Sequence, residues 1–417
     1  MKVALLNTYL SGGGAAIACQ RLFHALYKDG SVEYVKIIAD TGKQVPNKAP
    51  QEFKYFNYSK YFLERYWVKK MESEQEFKSL FSPAFLGSPG LRTKQFKPFQ
   101  LLHLHWINHG FLNLKNLRQL AQLKKPIVWT LHDMWAFTGG CHHSIHCNNF
   151  QQECGNCFYL KNPGEKDYSH KLWSKKAQLY PKLNLTVVSP SNWLANKARE
   201  SSLFKNLRVE VIPNPIDTEL FKPLEPEKKV SHLALDPEKI TLSFIAANIS
   251  NPFKGISYLK ESLDLLASEN PHWVDKVQLL IVGKPDKQIS WPFPTVFAGF
   301  ISDEAEMVSM YQSSDIFMLP SVQDNLPNTV MEALACGTPV VAFNTGGVPD
   351  MVNSEVGYLA KYKDPADFAK GLLELIQNPE KRAEAGKQAR DQVLKKFSYP
   401  IVAQQYAKLY QEILSQA

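Results

Sequence analysis

The stretch Ile316-Phe317-Met318-Leu319-Pro320-Ser321-Val322-Gln323-Asp324-Asn325-Leu326-Pro327-Asn328-Thr329-Val330-Met331-Glu332-Ala333-Leu334-Ala335-Cys336-Gly337-Thr338-Pro339-Val340-Val341-Ala342 decides how the chain is read. Ile316–Leu319 is a short apolar run that reads as a buried strand, and a polar loop follows it. Asn328–Ala335 reads as a helix, Gly337 stops it, and Pro339–Ala342 is a second buried strand. Strand, loop, helix and strand in this spacing form the repeating unit of a parallel sheet. The loop delivers Asn325, Leu326, Pro327 and Asn328 to a helix N-terminus, where backbone N–H groups and the helix dipole favour an anion. Asp324 precedes the helix and Glu332 lies within it, so acids at either end can hold hydroxyls flanking a bound phosphate. The plain alternative is a capping Asp and a solvated Glu.

The same rhythm extends in both directions. In the second half Ile240–Ala246, Val277–Val282 and Val296–Ala298 read as strands, and Gly255–Ser268 and Ala305–Ser313 as helices. In the first half Lys2–Leu6, Tyr34–Ala39, Leu101–Trp106, Pro126–Leu131, Leu185–Ser189 and Val209–Ile212 read as strands, with a helix over Ala15–Lys28. Two consecutive α/β domains are expected, 1–213 and 214–398. The joint is at Ile212-Pro213-Asn214-Pro215, where proline fixes φ and holds its neighbours extended.

The 417 residues are 44% hydrophobic and 21% charged, which is ordinary for a globular chain and argues against disorder, collagen or coiled coil. No apolar run approaches the length that spans a bilayer. Near the start, Asn7, Thr8 and Tyr9 interrupt the apolar run that a secretory leader needs, so a cytoplasmic location is expected. The net charge of +8 conceals a split. Residues 1–213 carry 29 Lys and Arg against 14 Asp and Glu, which is +15; residues 214–417 carry 19 against 26, which is −7. Such asymmetry speaks of partners rather than of fold. Segment 52–70 holds eight aromatics and five cations against two anions, the pattern of a helix lying on an anionic membrane. Its rings Phe56, Tyr61, Phe62 and Trp67 are the ones expected at headgroup depth. A core helix with a basic outer face is the competing reading. No nucleic-acid recognition motif accompanies the charge.

Four further features carry chemistry. Gly12, Gly13 and Gly14 follow the first strand and open a helix, so backbone N–H groups can approach an anion closely. His132-Asp133 ends a strand, where ligands of open parallel sheets bind. Lys254 stands at the mouth after the Ile240–Ala246 strand and can meet a phosphate as a point charge. Cys141, Cys147, Cys154 and Cys157 fall within 17 residues. In a reducing compartment a structural zinc outranks disulfides for that set, with free thiols as the third option.

At the 314–347 block the sequence resembles the retaining glycosyltransferases of family 4, also called group 1. The glycine loop at 11–14, His132-Asp133, Val211-Ile212-Pro213-Asn214-Pro215-Ile216-Asp217 with Phe221, and Lys254-Gly255 occur in the family's order. The resemblance implies the GT-B fold, two Rossmann-like domains facing a central cleft. It implies a UDP- or GDP-sugar donor in the second domain and a glycan or lipid-linked acceptor in the first. It also implies a last helix, about 399–415, that packs back onto the first domain. The family's E-x7-E pattern falls on Asp324 and Glu332, the first on the donor sugar and the second on the ribose, and the lysine on the diphosphate falls on Lys254. His132, Asp324 and Lys254 are thus the candidate catalytic residues. Ala247 stands where the family often has arginine. No Asp-x-Asp sits near a strand end, so no catalytic metal is expected. A nucleotide-sugar epimerase, a sugar phosphorylase and a degenerate sugar-nucleotide-binding protein remain the alternatives.

Overall fold

The structure is a computed structural model that describes residues 1–41, 57–73, 80–88, 93–224, 234–284 and 289–416. The chain divides into two units, Met1–Pro215 with Tyr399–Ala417, and Ile216–Ser398. In the first, β1 (Lys2–Tyr9), α1 (Gly14–Asp29), β2 (Tyr34–Thr41), α2 (Asn57–Met71), β3 (Leu101–Leu104), α3 (Leu114–Ala121), β4 (Pro126–Thr130), α4 (Tyr168–Leu179), β5 (Asn184–Ser189), α5 (Asn192–Glu200) and β6 (Val209–Val211) follow in order. The strands form one parallel sheet, β2-β1-β3-β4-β5-β6. Side chains alternate across it. Val3 and Leu5 join one core with Leu22 and Leu26 of α1, while Ala4 and Leu6 join the other with Trp129 and Phe137. Cover on both faces is why β1 reads as an unbroken apolar run.

The second unit repeats the plan with β7 (Ile240–Asn248), α6 (Ile256–Glu269), β8 (Val277–Lys284), β9 (Thr295–Gly299), α7 (Glu304–Gln312), β10 (Ile316–Leu319), α8 (Asn328–Ala335), β11 (Val340–Phe343), β12 (Gly357–Ala360), α9 (Pro365–Gln377) and α10 (Pro379–Lys396). Its parallel sheet runs β12-β11-β10-β7-β8-β9. Leu242, Phe244, Leu279 and Ile281 face one core, and Ile245, Leu280, Val282 and Phe317 the other. The last helix, α11 (Tyr399–Ser415), returns to the first unit. It buries Val402, Ala403, Tyr406 and Tyr410 with Leu22 and Phe23.

This is the two-domain α/β architecture expected from the sequence. Several strand ends differ by a few residues, and two segments differ in ways that bear on the site. β3 ends at Leu104 rather than Trp106, because the Trp106 N–H is taken by the Asn7 side chain at 2.9 Å and not by a neighbouring strand. Of segment 52–70, residues 52–56, with Phe56, lie outside the described residues, and α2 carries the rest.

Each sheet reverses its direction of growth once. In the first, β2 and β3 lie on opposite sides of β1; in the second, β8 and β10 lie on opposite sides of β7. Connections leaving such a strand pair diverge, and a crevice opens at the carboxyl ends. The loops after β1 and β3, and after β7 and β10, are therefore the places to look for a site in each unit.

Candidate functional site

In the second unit three loops are sewn together at the reversal point. After β7 the Asn251 side chain accepts a hydrogen bond from the Phe253 N–H, and Gly255, with φ +66°, turns the chain into α6. The Phe253 carbonyl accepts from Val322 N of the loop after β10, at 2.9 Å. After β11, Gly347 N donates to the Asp324 carbonyl at 3.1 Å. A Cβ on Gly255 would stand 1.9 Å from the Pro320 carbonyl oxygen, and one on Gly346 (φ +55°) 1.8 Å from that of Asp324. Only glycine allows these approaches.

The assembly brings Lys254 Nζ within 2.6 Å of Asp324 Oδ2, with both side chains partly exposed. No side chain caps α8, so Asp324 is not its N-cap. Glu332 is not solvated either: it is 6% exposed and accepts the Tyr311 hydroxyl at 2.7 Å. Asn325 and Asn328 are half-buried, Leu326 and Pro327 buried, beside this pair in the chain. Ala247 is exposed, and Lys284 lies exposed across the β7–β8 ladder from Asn248.

In the first unit Gly12 and Gly13 have φ of +82° and +85°, and added Cβ atoms there would meet open space. α1 starts at Gly14 with no side-chain cap. His132 follows β4 and stacks on His105, with 3.0 Å between His132 Nε2 and His105 Nδ1. Burial holds His132 at about 4, against a smaller upward pull from Asp133. His105 is pushed well below its usual range by burial and then by His103 and His132. These rings are neutral at physiological pH. With Asp133 and Asn108 they line a cavity of about 10 Å³, the room of roughly one water, where His105 Nε2 and Asn108 Oδ1 are buried without a hydrogen-bond partner.

Asp133 is the most engaged group at this edge. It accepts from Trp106 Nε1 at 2.8 Å, from Trp135 N at 2.8 Å, and lies 2.7 Å from His142 Nδ1. Burial alone would raise its pKa. The charge and hydrogen bond of His142, with the Trp135 N–H, overturn that and hold it ionised below the usual carboxylate range. Sequence reasoning points to His132 and passes over His105, Trp106 and His142. His142 is visible there only as a neighbour of the cysteines, since nothing in the sequence places it beside Asp133.

The four cysteines carry free thiols, Cys154 and Cys157 buried and Cys141 and Cys147 half-buried. Burial first, and their mutual repulsion among the further causes, pushes Cys141, Cys154 and Cys157 up to about 12. As the side chains stand, no group of three or more His, Cys, Asp or Glu among the described residues is disposed to hold a metal ion.

Comparison with known proteins settles the family. A family model described as Glycosyltransferase Family 4 matches residues 12–220, half of the chain, and one described as Glycosyl transferases group 1 matches residues 239–378. The chain belongs to glycosyltransferase family 4. It is 28% identical over 294 residues to WcaC of Escherichia coli K12, whose name assigns it provisionally to colanic acid biosynthesis, covering 66% of each chain. That is just under two thirds of the relative's length. It is also 28% identical over 325 residues to a D-inositol 3-phosphate glycosyltransferase of Corynebacterium efficiens, covering 74% of each. Among solved structures, sucrose-phosphate synthase from Thermosynechococcus elongatus superposes with a TM-score of 0.66 at 18% identity, over all of both chains. HepE of Anabaena, determined with UDP-glucose, gives 0.64 at 16%, covering 99% of this chain and all of that one. These similarities establish the GT-B fold.

The buried histidines generate a pH prediction. His103 and His109 are held at about 3 and His132 at about 4, chiefly by burial, while unfolded histidine titrates near 6.5. The unfolded chain therefore binds more protons than the folded one below about pH 6.5. These three histidines outweigh Glu64, whose pKa is raised to about 7 and which acts in the opposite sense, so stability should fall progressively as the pH drops from 6.5 toward 4. Urea unfolding followed at pH 6.5, 5 and 4 checks this, and a stability unchanged down to pH 4 would contradict it.

Proposed function

We propose that the chain is a retaining, hexosyltransferase-like enzyme that moves a sugar from a UDP- or GDP-sugar to a glycan or lipid-linked acceptor in surface polysaccharide assembly. The observation that carries this is the Lys254–Asp324 pair beside the uncapped α8, at the point where the second sheet reverses. Support for the donor comes from HepE, whose structure was determined in complex with UDP-glucose, and for the pathway from the name of WcaC.

The chemistry follows from charge. As the sugar leaves, negative charge grows on the diphosphate. Lys254 and the N–H groups leading into α8 are the partners for that charge. An ion pair as exposed as Lys254–Asp324 is weak. A diphosphate can displace the carboxylate from Lys254 and leave Asp324 to accept sugar hydroxyls. Glu332, set back in α8, is suited to ribose hydroxyls. No metal is required by this arrangement, and retention would follow from front-face attack, with the leaving phosphate oxygen taking the acceptor proton.

The membrane reading also gains a surface. α2 exposes Phe62, Leu63, Tyr66 and Trp67 together with Lys69 and Lys70, and turns Glu64 and Val68 inward. Lys70 Nζ lies 4.5 Å from the Tyr66 ring centre. Tyr61 packs edge-on against His109, so it is not among the outward rings, and Arg65 turns toward Glu72. Among the described residues no helix is long and apolar enough to cross a bilayer, so any association would be peripheral. For the cysteines, structural zinc stays the reading, on their clustering and on a reducing compartment.

Four outcomes are expected. Lys254→Ala should lower transfer by about 10²–10³-fold. Glu332→Ala should cost about 1.5–3 kcal/mol of donor affinity, whereas Tyr311→Phe, which removes only the partner hydroxyl, should cost less. Calorimetric titration with UDP and GDP, followed by nucleotide-release assays, reads both, and unchanged values would remove the site. Vesicles containing about a third phosphatidylglycerol should sediment the protein, less so at high salt and less so for the Lys69→Glu, Lys70→Glu variant, while neutral vesicles should not. Elemental analysis of tag-free protein should find near-stoichiometric zinc; its absence would leave four free thiols.

A further inference from the structure

Ser82, His142 and Asp133 stand in a row. Ser82 Oγ is 2.8 Å from His142 Nε2, and His142 Nδ1 is 2.7 Å from Asp133 Oδ2. The order is that of a hydrolase triad, yet Ser82 is no nucleophile. It is 1% exposed, its N–H is given to the Gly140 carbonyl, and its own carbonyl accepts Trp135 Nε1. The row therefore acts from its other end. An ionised carboxylate offers about four acceptor positions. Asp133 fills two on Oδ2, with Trp106 and His142, and one on Oδ1, with the Trp135 N–H. One position on Oδ1 remains, and the side chain is 15% exposed at the carboxyl edge of the sheet.

We propose that Asp133 receives a hydroxyl group of the acceptor on Oδ1, and that His142, braced by Ser82, is the positioning residue that aims it. This rests on the transfer reading above and adds the acceptor contact to it. A charge-assisted hydrogen bond from a hydroxyl suits a carboxylate that cannot take up a proton at physiological pH. The imidazole stacks on Trp106, which is itself bonded to Asp133, so the carboxylate is held from two sides.

The test uses the full chain with UDP bound and methyl glycosides of glucose, galactose, mannose, fucose and glucuronic acid as probes, read by saturation-transfer NMR. Wild type should saturate at least one probe. Asp133→Asn should weaken it by at least about 10-fold and His142→Gln by less, with UDP affinity unchanged. His142→Gln, which keeps a donor for Asp133, should retain more probe affinity than His142→Ala. That rescue by the conservative variant tells a positioning role from a merely structural one, and it stands even if Asp133→Asn does not fold. UDP binding with no saturation of any probe, equal saturation in Asp133→Asn, or equal losses in His142→Gln and His142→Ala would overturn the proposal. Failure of wild type to bind either UDP or GDP would instead remove the transfer reading beneath it.

Discussion

Two contacts that tolerate no Cβ hold the second unit's site together. Gly255 lets the turn after β7 press against the Pro320 carbonyl, and Gly346 lets the loop after β11 press against that of Asp324. Both glycines also have positive φ, so a side chain would be strained as well as crowded. Because the loops meet at backbone rather than at side chains, Lys254 and Asp324 are placed by the main chain of three connections. Their ion pair is a consequence of that placement, and too exposed to be its cause.

The two units handle charge in opposite ways. In the second, the acid and the base are left partly open to solvent, where an incoming diphosphate can compete for the lysine. In the first, charge is withdrawn from the sheet. His103 is bound on both ring nitrogens, by Tyr410 of α11 and by Thr130, and with His105 and His132 is kept neutral. Asp133, at that same edge, stays ionised because three donors outweigh its burial. A neutral histidine stack beside a fixed carboxylate has the chemistry that suits hydroxyls, and an open cation beside a bare helix start that which suits phosphate, as the proposed transfer requires.

Most of the fold is legible in the sequence because it is local. Continuous apolar runs such as Lys2–Leu6 and Val277–Val282 mark strands buried on both faces, and the spacing between them leaves room only for crossover helices. Lys254, Asp324 and Glu332 are legible for the same reason, each lying a few residues from a strand or helix end. Their relations are not. That Lys254 pairs with Asp324, and that Glu332 meets Tyr311, depends on strands far apart in sequence becoming neighbours. Ser82, which braces His142, sits 60 residues from it in a segment with no regular element, so no periodicity announces it. Tyr61 reads as an outward ring and is not one, because helical periodicity gives a face but not which face is covered.

The cysteine loop shows how far such long-range relations reach. Cys141 pairs with Phe81 across an isolated bridge, His142 gives its N–H to Leu80, and Met134 gives its own to the His142 carbonyl. The Gly139 N–H donates to Cys154 Sγ, and Thr138 Oγ1 donates to the Cys141 carbonyl. Lys176 of α4 is fully buried against Trp135 and donates to the carbonyls of Trp135 and Thr138. These bonds tie the loop that carries the cysteines to His142 and Met134, which flank Asp133 in space and in sequence, so the fold of the loop contributes to placing the carboxylate.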